Sequence, residues 1–281
     1  MTRNSIEVRP LGPVIGAEIH GLDLAAGIDS AVFEVIHQAL LDHLVVFLPN
    51  QRIGPGEHLV LARQFGDIEP PHPVFGNVAG LPEVTIIEQH GDGSLYNDVW
   101  HTDVTFRERP AMASILHCQV TPPGGGGDTL WSSLYASYEA LSPGVRDMIE
   151  DLTAIHDYYV SFGPSVLAGE GGIQQLARDI VELPPVEHPV VRTHPETGRK
   201  GLFVNRTFTK EIKGLSRIES DHILRMLCEF AEHPNYQVRR SWKPRDLAIW
   251  DNRCTMHLAS SDFSGHRKMH RVTVIGDRPF H

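Results

Sequence analysis

The stretch Trp100-His101-Thr102-Asp103-Val104-Thr105-Phe106 carries an imidazole and a carboxylate two positions apart. In an extended segment residues i and i+2 share a face, so His101 and Asp103 can both reach one metal ion from one strand end. A third ligand must come from elsewhere. Trp250-Asp251-Asn252-Arg253-Cys254-Thr255-Met256-His257 offers His257 soon after an apolar strand. Two imidazoles and one carboxylate on one face of Fe(II) leave three positions open, enough for a co-substrate and O₂ to bind side by side. Blander readings stand beside this one. A His-x-Asp pair recurs by chance, and Asp103 could cap a turn. Cys254 and His257 could be half of a zinc site, although no second Cys-x-x-Cys or Cys-x-x-His pair accompanies them.

The run His266-Arg267-Lys268-Met269-His270-Arg271-Val272-Thr273 follows, with Arg267 ten and Arg271 fourteen residues after His257. Arginine presents a planar fork of donors suited to a carboxylate or sulfonate. Such a basic run is more often a solvated face. Its position at a strand start, just downstream of a proposed ligand, favours anion recognition.

These residues must be positioned by the elements around them. Ile6 to Val8 and Val14 to Ile19 read as strands. Asp29 or Ser30 can cap a helix through about His43, with Phe33, Ile36, Leu40 and Leu44 on one face. Val45 to Leu48 follows as a buried strand, and Pro55 suits the first turn of a helix ending near Gly66. From residue 84 the pattern is mostly strands: Val84 to Ile87, Ala113 to Val120, Thr129 to Trp131, Val190 to Thr193, Gly201 to Val204, Leu247 to Trp250 and Val272 to Ile275. Residues 194–199 read as a hairpin loop. Helices interrupt near 134–140, 144–151 and 217–232. Residues 161–185, rich in Gly and Pro with weak periodicity, read as a mobile loop. The pattern predicts one mainly β domain over residues 1–281, a sandwich or barrel with helices outside.

Composition narrows the function classes. With 41% hydrophobic and 21% charged residues, the 281-residue chain can bury a sizeable core. A net charge of −10 argues against nucleic acid, which needs a basic face; a small anionic substrate needs only a local cluster of arginines. No apolar run is long enough to span a bilayer, and no apolar segment follows the charge at Arg3 in the manner of a signal peptide. Three cysteines at unrelated spacings read as reduced thiols in a cytoplasm rather than a disulfide framework. Seventeen histidines raise the expectation of metal chemistry. Whether the chain is a homo-oligomer is not legible.

Several stretches together resemble the taurine dioxygenase family of Fe(II)/2-oxoglutarate-dependent oxygenases, from about residue 6 to the C-terminus. They are Leu11 to Ala17, Trp100 to Phe106, Gly126 to Trp131, His188 to Pro195, Ala248 to Arg253 and Met269 to Arg271, with Gly276-Asp277-Arg278-Pro279-Phe280 closing the chain in the same manner. The resemblance implies a double-stranded β-helix core, jelly-roll-like, with iron at its open end held by His101, Asp103 and His257. It implies that Thr129 and Arg267 bind the far carboxylate of 2-oxoglutarate. The glycines of 124–127 are then a tight connection between strands, since no Gly-Lys-[Ser/Thr] follows to make a phosphate loop. The implied chemistry is oxidative decarboxylation of 2-oxoglutarate to succinate and CO₂, coupled to hydroxylation of a substrate carbon. If that carbon bears sulfur, the product releases sulfite or sulfate.

By the same resemblance His72, Asn97, Val104, Phe162, Phe208 and Arg271 match substrate-pocket positions, with His72 and Arg271 as a clamp on a sulfonate. Plain core packing is the alternative reading of Phe162 and Phe208. One departure stands out: Phe75 occupies a position where the taurine enzymes carry a tyrosine. Taurine is the leading expected substrate, and an alkyl sulfonate or alkyl sulfate ester its close rival. A non-catalytic binding protein on the same fold and a metal-dependent hydrolase are the readings from other classes.

Overall fold

The first helix begins where an aspartate can begin it. Asp29, extended, accepts a hydrogen bond from the Val32 amide and starts α1 (Ser30–His43), which satisfies one of the amides a helix start leaves unpaired. The helix ends at Leu44, whose φ of 67° turns the chain into a fully buried strand. Leu44 is thus a helix-terminating residue rather than part of the helical face. The structure is a computed structural model that describes residues 6–71, 75–90, 98–168 and 172–281.

In chain order, β1 (Glu7–Pro10) and β2 (Ala17–His20) precede α1, and β3 (Val45–Leu48), α2 (Pro55–Phe65), β4 (Asn77–Val78), β5 (Leu81–Gln89) and β6 (Ala111–Val120) follow it. The middle of the chain holds β7 (Thr129–Ser133), α3 (Leu134–Glu139), α4 (Pro143–Ile149), β8 (Thr153–His156), α5 (Tyr158–Ala168), α6 (Gly172–Glu182) and β9 (Val186–Pro189). Then come β10 (Val191–Thr193), β11 (Lys200–Leu202), β12 (Thr209–Ile212), α7 (Arg217–Ala231), β13 (Gln237–Arg240), β14 (Leu247–Asp251), β15 (Thr255–Ala259) and β16 (Arg267–Ile275). No helix among the described residues is long and apolar enough to cross a membrane.

The large sheet runs β1-β2-β3-β14-β6-β16-β5-β4, and a smaller one runs β13-β7-β15. Between them lies a core of Phe47, Ile87, Leu116, Trp131, Trp242, Trp250 and Met269. Trp131 stands edge-on against Trp242 and Trp250, an arrangement that aromatic quadrupoles favour. The other face of the large sheet packs Ile36, Leu40, Leu59 and Leu61 of α1 and α2 against Ile115, Ile249, Val272 and Val274. A third cluster gathers α3, α4 and α7 around Met256. This is the mainly β, jelly-roll-like core with flanking helices that the sequence implies.

The reading of 161–185 as irregular is corrected: α5 and α6 occupy most of it. Gly163 and Pro164 lie inside α5 despite their poor helix propensity, and Phe162 stacks on Tyr158 one turn earlier. In α6 the apolar residues do fall on one side, but Ile173, Ile180 and Val181 are exposed. A pattern sought for burial therefore misses that helix. Strands β8, β9, β12, β13 and β15 are short, and periodicity alone does not separate them from their loops.

Two histidines away from the proposed metal ligands make folding acid-sensitive. Burial pushes His58 down to about 3 and His188 down to about 4; each sits with Nε2 against main-chain carbonyls, Ile115 for the first, Thr105 and Arg107 for the second. Burial also depresses His156. The unfolded chain therefore binds these protons first as pH falls. The stabilisation is complete above about pH 6.5 and drains away until the folded-state values are reached. His58 and His188 should each remove roughly 2 kcal/mol between pH 7 and 5. Urea unfolding of the metal-free protein should show a much lower midpoint at pH 5 than at pH 7. A flat profile across that range would contradict the buried neutral state of these rings.

Candidate metal centre and co-substrate pocket

His101 and His257 meet because the chain forms a two-residue antiparallel bridge outside the regular strands. The amide of His101 donates to the carbonyl of His257 at 3.0 Å, and the reverse bond is 2.7 Å. Their rings stand 4.2 Å apart between centroids. The Nε2 atoms of both lie 3.8 Å from Oδ1 of Asp103, and all three donor atoms lie within 4.8 Å of one another. His101 Nδ1 donates to the Val99 carbonyl at 2.8 Å. That bond fixes the tautomer and leaves Nε2 as the donor to a metal. His257 packs on Trp250, 4.8 Å between ring centroids.

Asp103 is locked from three sides. The Ser114 hydroxyl donates to Oδ2 at 2.6 Å and Arg271 Nη1 to Oδ1 at 3.1 Å. Its own amide donates to Asn252 Oδ1 at 3.3 Å. Asn252 in turn donates to Ser114 and accepts from Trp250 Nε1. Val104, with φ at 48°, turns the chain just after the carboxylate. One residue further, Thr105 is held by His156, His188 and Asn205.

Charge states suit a metal. Burial alone would disfavour an ionised Asp103, but the Arg271 guanidinium, the two imidazoles and the Ser114 hydroxyl outweigh it and hold the carboxyl well below its ordinary range. Burial first, then the neighbouring His101 and Arg271, pushes His257 down to about 3; burial likewise lowers His101. Two neutral imidazoles and one carboxylate, all buried, therefore face one point, the donor set of a non-haem Fe(II) centre.

A cavity beside His257 is lined by Ile87, Leu116, Thr129, Trp250, Ala259, Arg267 and Arg271. Arg267 reaches it because β16 alternates as a strand must: residues 267, 269 and 271 are buried while 268 and 270 are less so. No carboxylate pairs with Arg267 among the described residues; it donates through Nε to the Gly127 carbonyl at 3.2 Å. Burial lowers it only to about 10, so it stays cationic at neutral pH. A buried cation without a protein counter-ion is costly unless an anion pairs with it. Thr129 Oγ1 accepts from Trp242 Nε1 at 3.0 Å, so its own hydroxyl proton is left to donate. Gly127 is required: its φ is 68°, and a Cβ there would lie 3.0 Å from the Arg267 side chain.

Of the expected substrate residues, His72 and Asn97 lie outside the described residues. Val104, Phe162 and Phe208 fall in one apolar cluster with Phe106 and Tyr158. That cluster reaches the centre through Val104, which shares a small cavity with Asp103, Arg271, Glu69 and Glu83. Phe75 lies with its ring centroid 5.8 Å from the Arg271 guanidinium carbon, within the reach of a cation–π contact. Sequence reasoning misses Ser114 and Trp242 and assigns no role to Asn252, although Asn252 stands in a stretch that carries the resemblance. The hydroxyl of a serine in a buried strand gives no signal in sequence.

Comparison with known proteins agrees with this geometry. The family described as taurine catabolism dioxygenase TauD, TfdA matches residues 7–273. An alkylsulfatase of Acinetobacter baylyi is 34% identical over 276 residues, spanning 97% of this chain and 86% of the relative. An alpha-ketoglutarate-dependent sulfate ester dioxygenase of Pseudomonas putida is 35% identical over 291 residues, spanning 98% and 91%. The crystal structure of a taurine dioxygenase from Burkholderia xenovorans matches with a TM-score of 0.82 at 38% identity, covering 98% of this chain and 91% of the other. The chain belongs to the taurine catabolism dioxygenase TauD, TfdA family and is a 2-oxoglutarate-dependent dioxygenase.

Proposed function

We propose that this enzyme hydroxylates the carbon next to the head group of an organosulfur anion with an apolar tail, an alkyl sulfate ester or alkyl sulfonate, with taurine as a poorer substrate. His101, Asp103 and His257 would hold Fe(II), and Arg267 with Thr129 the far carboxylate of 2-oxoglutarate. When bound, iron with 2-oxoglutarate and O₂ supplies the oxidation that places one oxygen in a substrate C–H bond, leaving succinate and CO₂. The chain's own residues hold and orient. Arg267 neutralises a carboxylate in a pocket walled by Ile87, Leu116 and Trp250. Arg271 brings a guanidinium beside the metal ligands, where an anionic head group can be drawn. A carbon that gains a hydroxyl next to a sulfate ester oxygen expels sulfate and becomes an aldehyde; next to a sulfonate it expels sulfite.

The observation that carries the choice of tail is the Phe75 ring over Arg271. An ammonium group would need a partner there, because burying an unpaired charge is costly. All three carboxylates of the small cavity are engaged: Asp103 with Arg271 at 3.1 Å, Glu69 with Arg107 at 3.4 Å and Glu83 with Arg63 at 3.3 Å. The names of the Acinetobacter and Pseudomonas relatives support the same substrate class.

The test compares hexyl sulfate, hexanesulfonate and taurine, with succinate and released sulfate or sulfite measured together. Wild type should prefer the hexyl compounds. Phe75→Tyr should move the kcat/KM ratio toward taurine by about 1–3 kcal/mol, if the hydroxyl bonds the substrate or an ordered water. A strong wild-type preference for taurine, unmoved by Phe75→Tyr, would refute the assignment.

A further inference from the structure

The end of β5 and the start of β16, where Arg267 sits, carry a second set of metal donors on the opposite face. Register pairs Arg267 with Gln89 and Lys268 with Glu88, so one step further His266 opposes His90. Side chains alternate along a strand: Ile87 and Arg267 point to the co-substrate cavity, while Glu88, His90 and His266 share the opposite, more exposed face. The two imidazoles stack at 4.3 Å between centroids, with planes 14° apart. Their Nε2 atoms both approach Oε1 of Glu88, His266 at 2.8 Å and His90 at 3.6 Å. One donor atom from each residue lies within 4.8 Å of the others. Lys268 Nζ sits 3.2 Å from the remaining oxygen, Oε2.

We propose that Glu88, His90 and His266 form a second metal site, for a late first-row ion of the zinc class. Cross-strand neighbours bring Cβ atoms about 4.5–5.5 Å apart, a separation two imidazoles can span to meet one ion. Zinc takes two nitrogens and a carboxylate oxygen in a tetrahedron whose fourth corner is open to water. The stacked rings must swing out of parallel to meet one ion, and the exposure of both side chains leaves room for that rotation. Lys268 keeps Oε2 and leaves Oε1 to the metal. Imidazole donors favour zinc or copper over magnesium and calcium, and an ion here ties β5 to β16 directly behind Arg267. A third cluster among the described residues, His194, Asp251 and Cys254, is not comparable, because it is wholly buried and the Arg253 guanidinium, itself buried, holds both Asp251 oxygens.

The test is Zn(II) titration of tag-free, metal-free protein by calorimetry, with zinc alone as the probe. Wild type should bind two equivalents, one at the buried centre and one outside. His90→Ala and His266→Ala, both at exposed or half-exposed positions, should each bind one and retain 2-oxoglutarate turnover after reconstitution with Fe(II). Asp103→Ala should retain one equivalent, and the Asp103→Ala/His266→Ala double variant none. The same stoichiometry in wild type, His90→Ala and His266→Ala overturns the outer site.

Discussion

Asp103→Ala is expected to abolish 2-oxoglutarate-dependent succinate formation. The substitution removes the one anionic donor of the proposed centre and leaves two neutral imidazoles facing a buried guanidinium. Losing an outer partner of a metal ligand typically costs about 10–100-fold in affinity or activity, so loss of the ligand itself should exceed that range. Stability should fall as well, because Arg271 donates to Asp103 in a buried setting. Breaking such a pair costs about 3–5 kcal/mol. Asp103→Asn keeps the shape and a partner for Ser114 while removing the charge, which separates loss of metal from loss of fold. Circular dichroism checks the fold, and anaerobic Fe(II) binding checks the centre. Near-wild-type succinate formation by either folded variant would remove Asp103 from the site.

Arg267→Ala should raise the 2-oxoglutarate concentration needed for half-saturation while leaving that for the organosulfur substrate nearly unchanged. Truncating one partner of a buried, hydrogen-bonded charge pair costs about 2–5 kcal/mol, or roughly 30- to 4,000-fold in binding. The upper half of that range is expected, because no carboxylate among the described residues pairs with Arg267 and the cavity wall is apolar. Arg267→Lys should fall between, since an ammonium retains the charge but not the planar fork. Steady-state kinetics in both substrates decides the matter. If the organosulfur substrate is lost and 2-oxoglutarate saturation is unchanged, the roles of Arg267 and Arg271 must be exchanged.

The donors at the centre are legible because metal chemistry admits few residue types and a strand's two-residue period puts His101 and Asp103 on one side. The arginines are legible for a related reason: four residues apart on β16, they share a face. Helices with caps and buried apolar stripes, such as α1, are read within a residue. Residues 161–185 are misread because propensity and burial point the wrong way there. Pro164 sits inside α5, and α6 turns apolar side chains to the exterior.

The ligand types, the paired arginines of β16, the capped helices and the family are all written in local spacing, which survives without knowledge of the fold. The meeting of His101 and His257 is not written there: a backbone bridge of the folded chain brings them together across 156 positions. The same holds for Ser114 and Asn252, which lock the carboxylate between them, for the room that Gly127 leaves Arg267, and for the Phe75 ring over Arg271. Each of these depends on sheet register and on which groups lose their water together. Hydrogen bonds and ion pairs gain their strength from that shared burial, and burial is set by contacts between residues far apart in the chain.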